Sequence, residues 1–341
     1  AVTSHNINSV SAVRGSLQKP KIYNVEVYID TYNGNLGWPA LLKTQWSDVD
    51  RNRFRVTDDY DVDIYKREYS IYERGISNQL HLTKTPSSYR ISFYGTSYSS
   101  ELDDKAALNI PWPITWFDEA EPFLKPSTYI DTNNPLITKL VAETIDKETM
   151  TPHIAAKKLI GECLHRIQST GNYSLSKEEY LTSIRKTSKK RESSNRNSRP
   201  TNPDDTFCID VLGSNYAFTS SESVTECDLV CACVAVLRSA GIPARPILGM
   251  TRRNMINGSN RIAPSYAVWG EYALPNVGWV PFNPRRMRGT VDNLTLEEAW
   301  QGLGTMPYLN TRVPMSANFK LYDMNQSEQQ LRMKLVSSPG E

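Results

Sequence analysis

Histidine is scarce in this chain. The four present are His5, His81, His153 and His165, and none follows position 165 in a chain of 341 residues. Chemistry in the second half that needs an imidazole base would have to borrow one from an earlier element. Cysteine is sparse as well: Cys163, Cys208, Cys227, Cys231 and Cys233 are an odd number and cannot all pair within one chain. Three of them crowd into one short helical run, where Cys227 and Cys231 share a face at i,i+4 and Cys233 points away from Cys231. This excludes a disulfide framework and reads as buried, reduced thiols. No paired histidines follow at finger spacing, so neither a metal nor another cofactor is expected. No run approaches the roughly 20 apolar residues of a membrane span, and no apolar signal segment opens the chain. The chain begins Ala1-Val2, which reads as loss of a Met or of a longer leader and leaves the compartment open. An excess of either charge is lacking too: 39 Lys and Arg against 37 Asp and Glu leave a formal net charge of +2, which gives no global reason to expect nucleic acid.

What is present divides into segments. Residues 1–20 are polar and aperiodic and read as a loose arm. From Lys21 the period becomes two, with Tyr23, Val25, Val27 and Ile29 opposing Ile22, Asn24 and Glu26. Runs at 64–72, 79–83 and 89–94 are rich in Tyr, Ile, Leu and Phe and are parted by turn residues. They predict a small antiparallel β-sandwich over 21–100. Residues 101–123 form a linker rich in Pro and Trp. Pro111 and Pro113 exclude a central strand or helix interior there, and Trp112 and Trp116 should pin it to a neighbour. Helices follow over 134–147 and 151–168, the second opened by Thr151-Pro152. Within a core assigned to 124–323 lies an insertion at 184–205, and residues 324–341 are set apart as a tail. Between Arg185 and Arg199 seven Lys or Arg face one Glu. Either an acidic partner docks there or the segment is a solvated insertion; it lacks the aromatics that stack bases.

The sharpest local pattern is a helix. Leu229, Val230, Cys233, Val234, Leu237 and Ala240 repeat at three and four residues as one buried stripe. Thr225 with Asp228 three residues on makes a capping-box start, and Gly241 with Pro243 makes the stop. Glu226, Cys227 and Asp228 therefore occupy the first turn, where unpaired N–H groups and the helix dipole favour negative charge.

This helix and the residues after it resemble the transglutaminase-like superfamily. The match rests on Asp228 and Leu229, on Leu237, Arg238, Gly241, Ile242, Pro243, Ala244 and Arg245, and on a second stretch. That stretch holds Trp269, Glu271, Leu274, Pro275, Gly278, Trp279, Val280, Pro281 and Pro284. The resemblance runs over about 120–322, from Glu121 to Arg312, Val313 and Pro314. It implies an α+β fold: an N-terminal antiparallel β-sandwich of the kind common in bacterial relatives, then a papain-like core of helices packed on an antiparallel sheet. Members of the family place a Cys at the helix start, where the thiol's pKa falls, a His as proton shuttle and an Asp that orients the His. An ungapped match puts those positions on Glu226, Ala267 and Asn283.

The resemblance thus implies a fold whose usual chemistry is absent, and the expectation is a non-catalytic binding or structural module with a protein or peptide partner. Two alternatives remain. Glu226 could act as a base or nucleophile in the old cleft, with Asp228, Glu271 or Tyr266 beside it. Cys227, one residue and about 100° around the helix from the usual position, could serve as nucleophile if His153 or His165 reached it. Tyr266 adjoins the His position, but a phenol with a pKa of about 10 is a poor shuttle at neutral pH. Arg285, Arg286 and Arg288 follow the third position and could rim the cleft. Glu226, Asn283, Tyr266 and Cys227 are the candidate site residues.

Overall fold

A computed structural model describes residues 17–30, 37–39, 42–58, 69–73, 78–82, 88–170, 211–220, 224–254, 262–288, 295–317 and 331–337. The predicted arm before residue 17, the strand run at 64–68, Cys208 and the basic insertion at 184–205 lie outside the described residues. The described residues up to Ser99 carry β-structure: β1 (Gln18–Asp30), β2 (Gly37–Pro39), β3 (Ser47–Asp58), β4 (Tyr69–Glu73), β5 (Asn78–Leu82) and β6 (Ser88–Ser99). Among the described residues the helices of the remainder are α1 (Asp104–Ala107), α2 (Pro135–Thr144), α3 (Pro152–Thr170), α4 (Ser214–Thr219), α5 (Glu226–Ser239) and α6 (Pro284–Met287). They accompany β7 (Ala244–Asn254), β8 (Ile262–Leu274), β9 (Gly278–Phe282), β10 (Arg312–Ser316) and β11 (Leu331–Ser337).

The strands form three antiparallel sheets, ordered β11-β1-β6-β3, β2-β5-β4 and β10-β7-β8-β9. The alternation read from Lys21 onward is met: Tyr23 and Val25 are buried whereas Ile22 is 56% exposed. One departure concerns the C-terminal stretch set apart as a tail. Within it, β11 pairs along β1 from Ile29↔Leu331 to Tyr23↔Ser337 and completes the first sheet. Strand addition of this kind depends on an open edge far away in sequence, which no local pattern reports.

Helix α5 is the central element of the core. Its Thr225 Oγ1 accepts from the Asp228 N–H at 3.1 Å, and the Asp228 carboxylate accepts from the Thr225 N–H at 3.2 Å, a closed capping box. At the other end Gly241 adopts φ +83°, and the Ile242 N–H reaches the Leu237 carbonyl at 2.9 Å. That left-handed turn ends the helix and accounts for the glycine. Every residue from Cys227 to Arg238 is buried, so the helix is sheathed all round rather than lying on a surface. Arg238 is the buried cation of the run. Its guanidinium donates to the Ala244 carbonyl at 2.7 Å and the Lys125 carbonyl at 2.6 Å, and burial pulls its pKa down to about 10.

The two faces of the third sheet have different neighbours. Leu248, Met250, Val268, Tyr272 and Leu274 join the cluster that contains α5. Ile247, Ala267, Trp269, Ala273 and Trp279 join a second cluster with Leu42, Trp46 and Phe123. The first sheet and its flanking segments bind directly to the core. Trp46 Nε1 donates to the Trp279 carbonyl at 3.2 Å, Ser99 Oγ to the Pro307 carbonyl at 2.7 Å, and Ser97 Oγ to the Arg312 carbonyl at 2.6 Å. Tyr23 Oη also donates to the Asn310 carbonyl. In the linker, Trp112 Nε1 donates to the Met150 carbonyl at 2.7 Å and Trp116 Nε1 to the Gly241 carbonyl at 3.1 Å, which ties this Pro-rich segment to the helices.

Candidate functional site

The first turn of α5 divides its three polar residues among three tasks. Asp228 is fully buried. Besides closing the capping box, its Oδ1 accepts from the Leu212 and Gly213 N–H groups, each at 2.7 Å. It anchors the segment before α4 and has no capacity left for a reactant. Cys227 is 1% exposed and belongs to the core cluster. Glu226 alone turns outward, and its Oε2 meets the Arg285 Nη1 at 3.3 Å.

Asn283 is buried and caps α6, accepting the Arg286 N–H at 3.4 Å, while its own N–H donates to the Gly302 carbonyl at 2.7 Å. Ala267 is buried at the centre of β8, paired with Gly249 on β7. The backbone of Tyr266 pairs with Met250, and its side chain lies outside the described residues. The structure therefore brings Glu226, Arg285 and Asn283 to one place.

Two residues that the sequence did not single out for the site complete it: Tyr308 and Arg312. Tyr308 opens the 3₁₀ turn Pro307–Thr311, and Arg312 begins β10. Guanidinium groups and rings alternate here: Arg286 lies 4.0 Å from the centre of the Tyr308 ring, and Arg312 lies 5.3 Å from that ring and 5.4 Å from the Trp269 ring. Arg312 Nη1 donates to the Val268 carbonyl at 3.2 Å, next to Ala267. Burial pushes the Tyr308 phenol above its usual pKa, against the pull of Arg312, Arg286 and the adjacent Asn283 side chain; the Glu226 charge adds to the rise. Burial lowers the Arg312 pKa, opposed by Tyr308 and Glu226 and aided by the neighbouring Arg286 and Arg285. Chemically this is a carboxylate and a protonated phenol set among three guanidinium groups. The available signal was Arg312 itself, which stood within the resemblance but carried no site role there. Tyr308 had none.

The other carboxylate weighed for this site is committed elsewhere. Glu271 Oε2 accepts from Arg245 Nε at 3.0 Å and Nη2 at 2.8 Å, and Arg245 in turn lies 3.9 Å from the Trp279 ring. Both side chains are buried, so this is an internal pair with no path to a reactant. His153 is likewise spent: Nδ1 meets the Tyr272 hydroxyl at 2.6 Å and Nε2 meets Asp104 Oδ1 at 2.9 Å. His165 stands exposed on α3. Cys233 lies 3.9 Å from Cys163, sulfur to sulfur, and burial raises the pKa of both Cys163 and Cys231. Among the described residues no group of three or more His, Cys, Asp or Glu side chains could hold a metal ion, and no helix is long and apolar enough to cross a membrane.

Residues 168–284 match the model of the transglutaminase-like superfamily. The matched segment is 117 of the 341 residues. It spans α5, β7, β8 and β9, the elements that hold Glu226, Ala267 and Asn283. No curated protein matches the chain. Among solved structures, a candidate cysteine protease from Cytophaga hutchinsonii is similar at 13% identity, covering 95% of this chain and 93% of that one with a TM-score of 0.53. The periplasmic domain of TgpA from Pseudomonas aeruginosa is 16% identical, covering 86% and 96% of the two chains with a TM-score of 0.34. The first likeness extends over the N-terminal strands as well as the later helices and sheet, so the described residues share its α+β fold.

Proposed function

We propose that this transglutaminase-like protein does not perform Cys-His-Asp acyl transfer and serves as a binding or structural module for a protein or peptide partner. One observation carries the reading. The side chain that leaves the first turn of α5 is a carboxylate paired with Arg285, while the adjacent Cys227 is buried in the core. Acyl transfer by a thiol needs an accessible thiolate and a positioned base. Ala267 has only a methyl group where the resemblance expects an imidazole, and both ring nitrogens of His153 are engaged. Asn283 spends its side-chain oxygen on capping α6.

The test is incubation with amine donors and glutamine peptides, together with a thiol-reactive probe at neutral pH. The expected result is no turnover, and modification of Cys227 only as fast as the protein unfolds. Rapid, selective labelling of Cys227 in the folded protein would overturn the reading and favour a displaced thiol nucleophile.

A second reading, hydrolase-type chemistry on Glu226, draws support from the Tyr308 phenol, which stays protonated at neutral pH near the carboxylate. One group could then donate a proton while the other accepts one. A panel of chromogenic ester, amide and glycoside substrates decides it. Turnover lost in both Glu226→Gln and Tyr308→Phe would support this chemistry, and turnover untouched by either substitution would reject it.

A further inference from the structure

The charges around Tyr308 do not balance. Arg285, Arg286 and Arg312 gather there, and Glu226 is the carboxylate that acts on Tyr308 and Arg312 among the described residues. Arg285 takes that carboxylate, at 3.3 Å. Among the described residues, neither Arg286 nor Arg312 has a carboxylate within ion-pair distance; Arg312 is largely enclosed and Arg286 is exposed. Enclosed cations are ordinarily paired, because desolvation of a lone charge is costly.

A second observation points the same way. The Tyr308 hydroxyl is buried without a hydrogen bond of normal geometry, and so is the indole N–H of Trp269. These are the two aromatic residues that flank the Arg312 guanidinium. Buried polar groups are seldom left unsatisfied, and an indole N–H without an acceptor beside a phenol whose polar neighbour is the Asn283 side chain marks a place short of an acceptor. The rings lie within cation–π distance of both guanidinium groups, and with Arg312 Nη1 on the Val268 carbonyl the remaining N–H groups are available to an acceptor.

We propose that the ladder Arg286–Tyr308–Arg312–Trp269, beside Glu226, is a binding site for an oxyanion, a carboxylate or phosphate group carried by a small ligand or by an acidic peptide. Two oxygens on one centre suit this set, because a guanidinium takes them side by side and a phenol adds a third donor. Glu226 sets a limit on the ligand: it neutralises Arg285 and repels a second anionic group placed at the α5 start. The preferred ligand therefore presents one anionic group to Arg286 and Arg312 and a neutral or cationic part towards Glu226. This use of the cleft rests on the non-catalytic reading above, but binding and turnover are measured separately, so each can fail without the other.

The experiment titrates the full-length protein by calorimetry with inorganic phosphate, with glutarate and with an acidic tripeptide, ionic strength being held constant with chloride. Saturable one-to-one binding is expected for at least one of the three, and which one identifies the source of the oxyanion. Arg286→Gln, at an exposed position, should weaken it about ten-fold, the usual value of a charge-assisted contact. Tyr308→Phe keeps the stack and should weaken it roughly three- to ten-fold. Lys139→Gln removes one positive charge from the remote helix α2 and should change nothing, which separates a site from net charge. The proposal is overturned if none of the three ligands exceeds chloride, or if binding is undiminished in both Arg286→Gln and Tyr308→Phe while circular dichroism shows both variants folded.

Discussion

Substituting Asp104→Asn tests how the two halves of the molecule are joined. Asp104 opens α1, directly after the last strand of the first sheet's N-terminal portion, and is buried against α3. Its Oδ1 accepts from His153 Nε2 at 2.9 Å and its Oδ2 from Lys157 Nζ at 2.7 Å. Lys157 is fully buried; its other donors go to the Leu296 and Glu298 carbonyls, at 2.7 and 2.6 Å. The amide keeps the size and one acceptor but leaves the ammonium without a countercharge in the interior. Breaking a buried ion pair on one side costs about 3–5 kcal/mol. In a chain of this size each kcal/mol lowers Tm by roughly 2–4 °C, so a fall of roughly 6–20 °C is expected.

Urea unfolding followed by tryptophan fluorescence is the assay, and Trp300 is a local reporter because Lys157 lies 5.3 Å from its ring. The double variant Asp104→Asn/Lys157→Met should recover part of the loss, since it removes the stranded charge. A loss below about 0.5 kcal/mol, or a double variant no better than the sum of the single ones, would refute the account.

The same network gives a pH dependence. Burial holds the His153 pKa below its usual value, despite the opposing pull of Asp104. The neutral ring fits its contacts: Nε2–H donates to Asp104, and Nδ1 accepts from the Tyr272 hydroxyl, whose pKa burial raises. Burial raises the Asp104 carboxyl, but the His153 and Lys157 hydrogen bonds outweigh it and the net shift is downward. A depressed histidine means that the unfolded chain takes up protons first, so this stability is present above the unfolded histidine value of 6.5 and is lost as pH falls below it. A depressed carboxyl acts in the same sense from its unfolded value of 3.8 downward. Tm should therefore fall in two steps on acidification, and Asp104→Asn should lack the lower one.

The other substitutions have narrower consequences. Asp228→Ala removes the capping box and strands the Leu212 and Gly213 N–H groups, which should cost about 2–4 kcal/mol in urea unfolding, against about 1 kcal/mol for loss of an exposed cap. Gly249→Ala places a Cβ 2.3 Å from the Val313 carbonyl oxygen, a backbone atom that cannot turn aside. It should destabilise by at least 1–3 kcal/mol, roughly, and raise amide exchange along β10. Glu226→Gln breaks a 3.3 Å pair whose arginine is 71% exposed, and stability should move by less than about 1 kcal/mol.

Much of this protein was legible in its sequence because the signals were local. The α5 start at Thr225 and Asp228, its stop at Gly241 and the two-residue alternation around Tyr23 each follow from hydrogen-bond geometry within a few residues of chain. The ungapped resemblance named Glu226, Ala267 and Asn283, which the structure has at the helix start, in β8 and just past β9. The roles of Asp228 and Glu271 were less legible. Both read as acids near a cleft, but their partners, Gly213 and Arg245, lie 15 and 26 residues away along the chain. The composition of a carboxylate's surroundings is not written beside it.

What the sequence determined by itself is α5 with its start and stop, the alternation of β1 and the identity of the groups carried on the first turn of α5. The tertiary structure alone decided which of those groups meet. Tyr308 and Arg312 come to Glu226 because the segment 307–314 is stapled to the N-terminal sheet through Ser97, Ser99 and Tyr23, more than 200 residues earlier. β11 closes the first sheet across a comparable span. Such contacts depend on edges and donors left open by separately folded elements, so they acquire meaning only once those elements pack.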